Sequence, residues 1–133
     1  MYEGIPMTKE YAILYIDDEK SNLRVFKNTF RRDFTIYLAS SAADGIEILM
    51  KHKIDVIITD QRMPGKTGLE LLREIHEMFP HIPPHRLMVS GYAAPADIDS
   101  AFRDYGLFQF ISKPWEADSL KQVILKVIRK DHE

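Results

Sequence analysis

Cysteine is absent from the 133 residues, which removes disulfides, thiolate metal sites and cysteine nucleophiles from consideration. Such a chain suits a reducing compartment. No apolar run approaches the roughly 20 residues a membrane-spanning helix needs, and Met1 to Lys9 carry no apolar stretch of signal-peptide length. A cytoplasmic protein with no membrane contact is the expectation. An excess of charge is missing too: 18 Lys and Arg against 20 Asp and Glu leave a formal net charge of -2. That provides no basic field to gather nucleic acid, so no direct nucleic-acid contact is expected. The nearest basic feature is the pair Arg31 and Arg32, placed where a helix would end and where cations complement the helix dipole. Internal repeats and low-complexity tracts are also lacking.

What is present describes an ordinary globular chain. Hydrophobic residues make up 45% and charged residues 29%, a balance that favours a packed fold over disorder. The length suits a single core. We read a short N-terminal tail over 1–9 and one domain over 10–131. Short apolar runs alternate with longer amphipathic ones, the pattern of a parallel sheet with helices on both faces. Five strands are expected, at Tyr11 to Ile16, Phe34 to Leu38, Ile54 to Thr59, Arg86 to Ser90 and Leu107 to Ile111. The first, third and fourth are almost continuously apolar, as strands buried on both faces should be, whereas the second reads as an edge.

Helical punctuation fills the gaps. Ser21 is expected to cap a helix carrying Leu23, Phe26 and Phe30, and Ser41 with Asp44 resembles a capping box ahead of Ile46, Leu49 and Met50. Leu69, Leu72, Ile75 and Phe79 recur at helical spacing before Pro80, and Pro95 suits a first helical position. Leu120, Val123, Ile124 and Val127 mark the last helix. These stripes are read as core. Five βα units with right-handed crossovers give an α/β, doubly wound, five-stranded parallel sheet, and ligands in such sheets gather beyond the carboxyl ends of the strands.

The residues at those ends are Asp17 and Asp18, Asp60, Ser90 with Gly91, and Lys113 with Pro114. Three carboxylates around one small volume repel each other unless a hard cation neutralises them. Mg²⁺ fits, because it takes oxygen ligands and keeps several waters. The competing reading is that Asp17 and Asp18 only cap the following helix. Against it stands Asp60, which follows the apolar run 54–59 and belongs at the same end of a neighbouring strand. A carboxylate can attack phosphorus directly if the phosphoryl oxygens are held by charge and hydrogen-bond donors. Lys113 and Ser90 offer an ammonium and a hydroxyl.

The paired acids Asp17 and Asp18, the run Asp60 Gln61 Arg62 Met63 Pro64 with Gly68, the Ser90 Gly91 pair and the Lys113 Pro114 pair resemble, in order and approximate spacing, the receiver domains of two-component response regulators. The resemblance runs from about Tyr11 to Ile128. It implies a flavodoxin-like (βα)5 fold with strand order 2-1-3-4-5. It makes Asp60 the phosphoacceptor, Asp18 a direct Mg²⁺ ligand, Asp17 an acid that holds the ion largely through water, and the Arg62 carbonyl a further ligand. Lys113 would bind phosphate. Ser90 and Phe110 would be switch residues, and the Lys113–Pro114 bond would be cis. The implied donor is a histidine kinase or phosphotransfer protein. The implied output surface is formed by the fourth helix, fifth strand and last helix, meeting an output domain or a second copy. Gln61, Arg62 and Tyr92 fall where the resemblance places groups that tune water access. The stretch Leu107 to Ile111 leading to Trp115 lacks the acidic pair of many winged-helix regulators, and is closer to receivers joined to ATPase or phosphodiesterase outputs.

A phosphorylation-independent receiver-like adaptor is the alternative, although no acid, Ser90 or Lys113 is missing to recommend it. A phosphohydrolase using Asp60 would want an acid two residues on, where Arg62 stands, and no independent substrate turnover is expected. A flavin binder would want a phosphate-cradling loop where Asp17 Asp18 Glu19 stand.

Overall fold

In a computed structural model of the chain, residues 10–80 and 85–130 are described, so the proposed tail over 1–9 lies outside them. The elements are β1 (Ala12–Ile16), α1 (Lys20–Phe30), β2 (Thr35–Ala39), α2 (Ala42–Lys51), β3 (Val56–Asp60), α3 (Gly68–Met78), β4 (His85–Ser90), α4 (Pro95–Asp104), β5 (Leu107–Ser112) and α5 (Ala117–Lys130). All sheet pairings are parallel, in the order β2-β1-β3-β4-β5. The expected fold class and strand order are therefore those observed, with β2 at an edge.

Every residue of β1 and β3 is buried, because helices cover both faces. Side-chain alternation divides the core. Leu14, Ile16, Ile57 and Met88 face a cluster with Leu49 of α2, Leu71, Leu72 and Ile75 of α3, and Ala101 of α4. Ile13, Tyr15, Ile58 and Val89 face the other cluster, with Phe26 and Phe30 of α1 and Leu120, Ile124 and Val127 of α5. Each such side chain contributes about 1.5–3 kcal/mol by leaving water, so two covered faces give the sheet its rigidity.

Local signals succeed unevenly. Ser41 caps α2 by accepting the Asp44 N–H, but the reciprocal arm of the expected box is missing: the Asp44 carboxylate takes the Ser40 hydroxyl instead. Ser21 does not cap α1. The helix starts two residues earlier, with Glu19 at the cap position making no side-chain cap bond, and the Asp17 carboxylate accepts the Glu19 N–H. Met50 is 67% exposed and lies off the core stripe of α2. Thr67 and Glu70 form a reciprocal capping box at the start of α3. The hydrogen bonds from Thr67 hold the Glu70 carboxyl below its ordinary range. Pro95 opens α4 as expected.

The fourth strand hides an unanticipated cation. Arg86 is 1% exposed, and its Nη1 and Nη2 donate to the Tyr105 and Phe79 carbonyls at 3.3 and 3.2 Å. Those carbonyls belong to the C-cap residues of α4 and α3, where a positive charge complements the helix dipoles. Burial lowers the guanidinium pKa. Gly106, at φ +70, lies against this side chain, and a Cβ there would stand 2.7 Å from Nη1. Only glycine meets both demands.

Candidate functional site

Parallel strands end on the same rim, so residues just past β1, β3 and β5 converge there. Tyr15 and Asp17 lie two apart, which puts both side chains on the α1–α5 face. Asp17 is fully buried, Asp60 is 6% exposed and Asp18 is exposed. One carboxylate oxygen from each of the three lies within 4.8 Å of the others. Acids from two strand ends thus share one volume.

Lys113 closes this cluster from β5. Its Nζ donates to Asp17 Oδ2 and Asp60 Oδ2, both at 2.9 Å, and its side chain is 21% exposed. Burial works against the ammonium charge, but the hydrogen bonds and negative charge of Asp60 and Asp17 outweigh it, and the net effect raises the Lys113 pKa. The backbone contributes too: the Lys113 N–H donates to the Ser90 carbonyl at 2.9 Å, and the Lys113–Pro114 bond is cis.

Asp17 Oδ2 accepts three donors, from Lys113, from the Tyr15 hydroxyl at 3.1 Å and from the Asn22 amide at 3.1 Å. Oδ1 accepts only the Glu19 N–H at 3.0 Å among the described contacts. Burial, reinforced by Asp17, pushes the Tyr15 hydroxyl far above its ordinary pKa, so it stays a donor. Its ring stacks on Phe26, with centroids 4.2 Å apart and planes at 2°. Tyr15 and Asn22 were not singled out from the sequence, yet the i, i+2 strand parity of Tyr15 with Asp17 was there to be read. Trp115 packs on Phe26 and Phe30 of α1. An open pocket of about 450 Å³ lies between α1 and Lys113, walled by Val25, Pro114 and Trp115.

Asp60 Oδ1 accepts the Arg62 N–H at 3.2 Å, which fixes the following loop beside it, while the Arg62 side chain is exposed. Gly68 returns the chain to the rim, its N–H donating to the Gln61 carbonyl at 3.0 Å. A Cβ at Gly68 would collide with the Asp60 carbonyl oxygen and stand 2.9 Å from Gln61 Cα, both backbone atoms. Gly68→Ala is therefore expected to destabilise the fold by about 1–3 kcal/mol, seen as a lower urea midpoint with an unchanged slope.

Ser90 is 1% exposed, but its hydroxyl is turned onto its own loop. It donates to the Tyr92 carbonyl at 2.7 Å and accepts the Tyr92 N–H at 3.3 Å. Phe110 is half-buried against the α2–α3–α4 core. The structure therefore brings together Asp17, Asp18, Asp60 and Lys113, and leaves Ser90 and Phe110 outside that knot. Gln61, which falls where the resemblance places groups that tune water access, is 6% exposed and bonded to two helices.

The three carboxylates suit a hard divalent cation. All donors are oxygen, they meet within one ion's reach, and two of them already share the Lys113 cation. Fold and rim together define a doubly wound α/β protein with a carboxylate–lysine site at the strand ends. The family model for the response regulator receiver domain matches residues 13–125. The chain is 34% identical over 120 residues to the hydrogenase transcriptional regulatory protein HoxA of Cupriavidus necator, covering 90% of this chain and 24% of that protein. It is 32% identical to chemotaxis protein CheY-3 of Vibrio cholerae, covering 93% of this chain and 96% of that one. A solved response regulator receiver domain from Clostridium thermocellum superposes with a TM-score of 0.79 at 32% identity, over 92% of this chain and 97% of that one. The chain belongs to the response regulator receiver family, whose members are signalling domains of two-component systems. It spans about a quarter of the length of the HoxA proteins. Among the described residues no helix is long and apolar enough to cross a membrane.

Proposed function

We propose that the chain accepts a phosphoryl group on Asp60 from a phosphohistidine on a histidine kinase or phosphotransfer protein. The observation that supports this is the knot itself: three carboxylate oxygens within 4.8 Å of one another, with the Lys113 ammonium 2.9 Å from two of the acids. An Asp60 oxygen forms the new bond to phosphorus while the bond from phosphorus to the histidine nitrogen breaks, and its electron pair stays on the imidazole. Asp18, Asp60, the Arg62 carbonyl and, through water, Asp17 would hold Mg²⁺. When bound, the ion supplies positive charge to the phosphoryl oxygens. Lys113, already at the site, moves from Asp60 to a phosphoryl oxygen.

Ser90 supplies the switch. Its hydroxyl gives up the Tyr92 carbonyl to donate to a phosphoryl oxygen, the loop follows, and Phe110 turns into the space left. The changed surface is that of α4, β5 and α5, which an output domain or a second copy would read. The intact set of acids and Lys113 gives the adaptor reading no support.

A small phosphodonor such as acetyl phosphate tests this directly. Intact-protein mass spectrometry is expected to find one added phosphoryl group with Mg²⁺ and none when EDTA removes the ion. Equal uptake in both conditions would count against the cation site.

A further inference from the structure

Gln61 joins two loops that otherwise approach the rim separately. It directly follows Asp60 and is 6% exposed, and both ends of its amide are engaged. Oε1 accepts the Leu69 N–H, in the first turn of α3, at 2.7 Å. Nε2 donates to Asp97 Oδ2 at 3.2 Å, and Asp97 is the acid of α4's first turn. A buried amide held at both ends has little room to adapt. Displacing the amino end of α4 from the end of β3 must break the Asp97 bond, which is charge-assisted and so among the stronger kinds.

The same arrangement has Ser90 bonded to Tyr92, three residues before α4 begins. Anything that draws Ser90 toward Asp60 moves the segment leading into α4, whose first turn is tied to Gln61 through Asp97. At the far end, Arg86 holds the Tyr105 carbonyl and ties the carboxyl end of α4 to β4. The helix is pinned at one end by a buried cation and tied at the other to Gln61 by the Asp97 hydrogen bond.

We infer that Gln61, acting through Asp97, is a positioning residue that holds α4 in its unphosphorylated arrangement and sets how readily modification of Asp60 moves that helix. The inference rests on the phosphoacceptor reading above. An interaction made in only one of two arrangements weakens the apparent affinity of any ligand that favours the other. Loss of the bond therefore makes switching easier.

Asp97→Ala and Asp97→Asn carry the same charge and differ in whether an acceptor remains for Gln61. Each full chain is titrated with beryllofluoride, a non-covalent phosphoryl mimic, in saturating Mg²⁺ and followed by ¹⁹F NMR. Asp97→Ala is expected to half-saturate at an about 3–10-fold lower concentration than Asp97→Asn, the effect of one ordinary hydrogen bond. In a Gln61→Leu background the difference should shrink below about two-fold, the mark of two residues acting through one contact. If Gln61→Leu does not fold, the Asp97 pair decides alone. Equal midpoints for that pair, or a lower one for Asp97→Asn, overturn the role of Gln61 and leave the phosphoacceptor reading intact. A wild-type chain that binds no beryllofluoride with Mg²⁺ removes both.

Discussion

Asp60→Asn is expected to abolish phosphoryl uptake, leaving no added mass after incubation with acetyl phosphate and Mg²⁺. The amide keeps the shape of the side chain, and its single accepting oxygen can retain the Arg62 N–H that Asp60 Oδ1 accepts; the Lys113 ammonium, which loses Asp60 Oδ2, is still held by Asp17 Oδ2, so the rim should stay assembled. It lacks the ionised oxygen that attacks phosphorus. The other two acids are not expected to substitute: Asp17 is fully buried, with Oδ2 held by three donors and Oδ1 by the Glu19 N–H, and Asp18 is exposed to water. A circular dichroism spectrum matching the wild type would show that the loss is chemical. Stoichiometric uptake by the variant would remove Asp60 from its role.

Lys113→Ala should have the second largest effect, and on two quantities. Truncation leaves Asp17, fully buried, and Asp60 with the Lys113 charge gone. Breaking a buried ion pair from one side typically costs about 3–5 kcal/mol. Because the Lys113 side chain is 21% exposed, on the order of 2–4 kcal/mol is expected here after allowance for solvent screening. Mg²⁺ should restore part of that loss, since a cation bound to the three acids replaces the missing charge; denaturant midpoints with and without the ion check this. Phosphoryl uptake should slow by on the order of 10²-fold, the usual effect of removing one donor to the developing charge. Cation binding should survive, while the α4–β5–α5 surface should no longer respond to phosphorylation in NMR spectra. A full response would overturn the assigned role.

The pH dependence has a definite sign. Folding raises the Lys113 pKa above its ordinary 10.5, so the stabilisation is complete below that value and fades as pH climbs through the higher folded-state value. The wild type should lose stability over that alkaline window, and Lys113→Ala should lack that component.

The rim was legible because each residue follows a recognisable apolar run. Asp17, Asp60, Ser90 and Lys113 all end or follow strands, and parallel strands must end together. The core faces of α1 and α5 were legible from their spacing. Capping was less so: Ser21 looked like a cap, but α1 begins at Lys20 with Glu19 at the cap position, so Ser21 already lies inside the first turn, a shift that spacing does not reveal. Met50 followed the apolar stripe of α2 in sequence yet points to water. Arg86 would not have been chosen as a core residue, since its partners, the Phe79 and Tyr105 carbonyls, come from two helix ends far apart along the chain.

Sequence by itself determined the parallel α/β plan, the two-sided burial of the central strands and the gathering of Asp17, Asp18, Asp60 and Lys113, because strand periodicity and strand direction are local properties whose consequences add up along the chain. Tertiary structure alone decided which oxygen each donor occupies, that Ser90 rests on Tyr92, and that Gln61 spans from α3 to α4. Those are choices among competing partners of similar energy, and only the packing of separate elements brings the competitors within reach of one another.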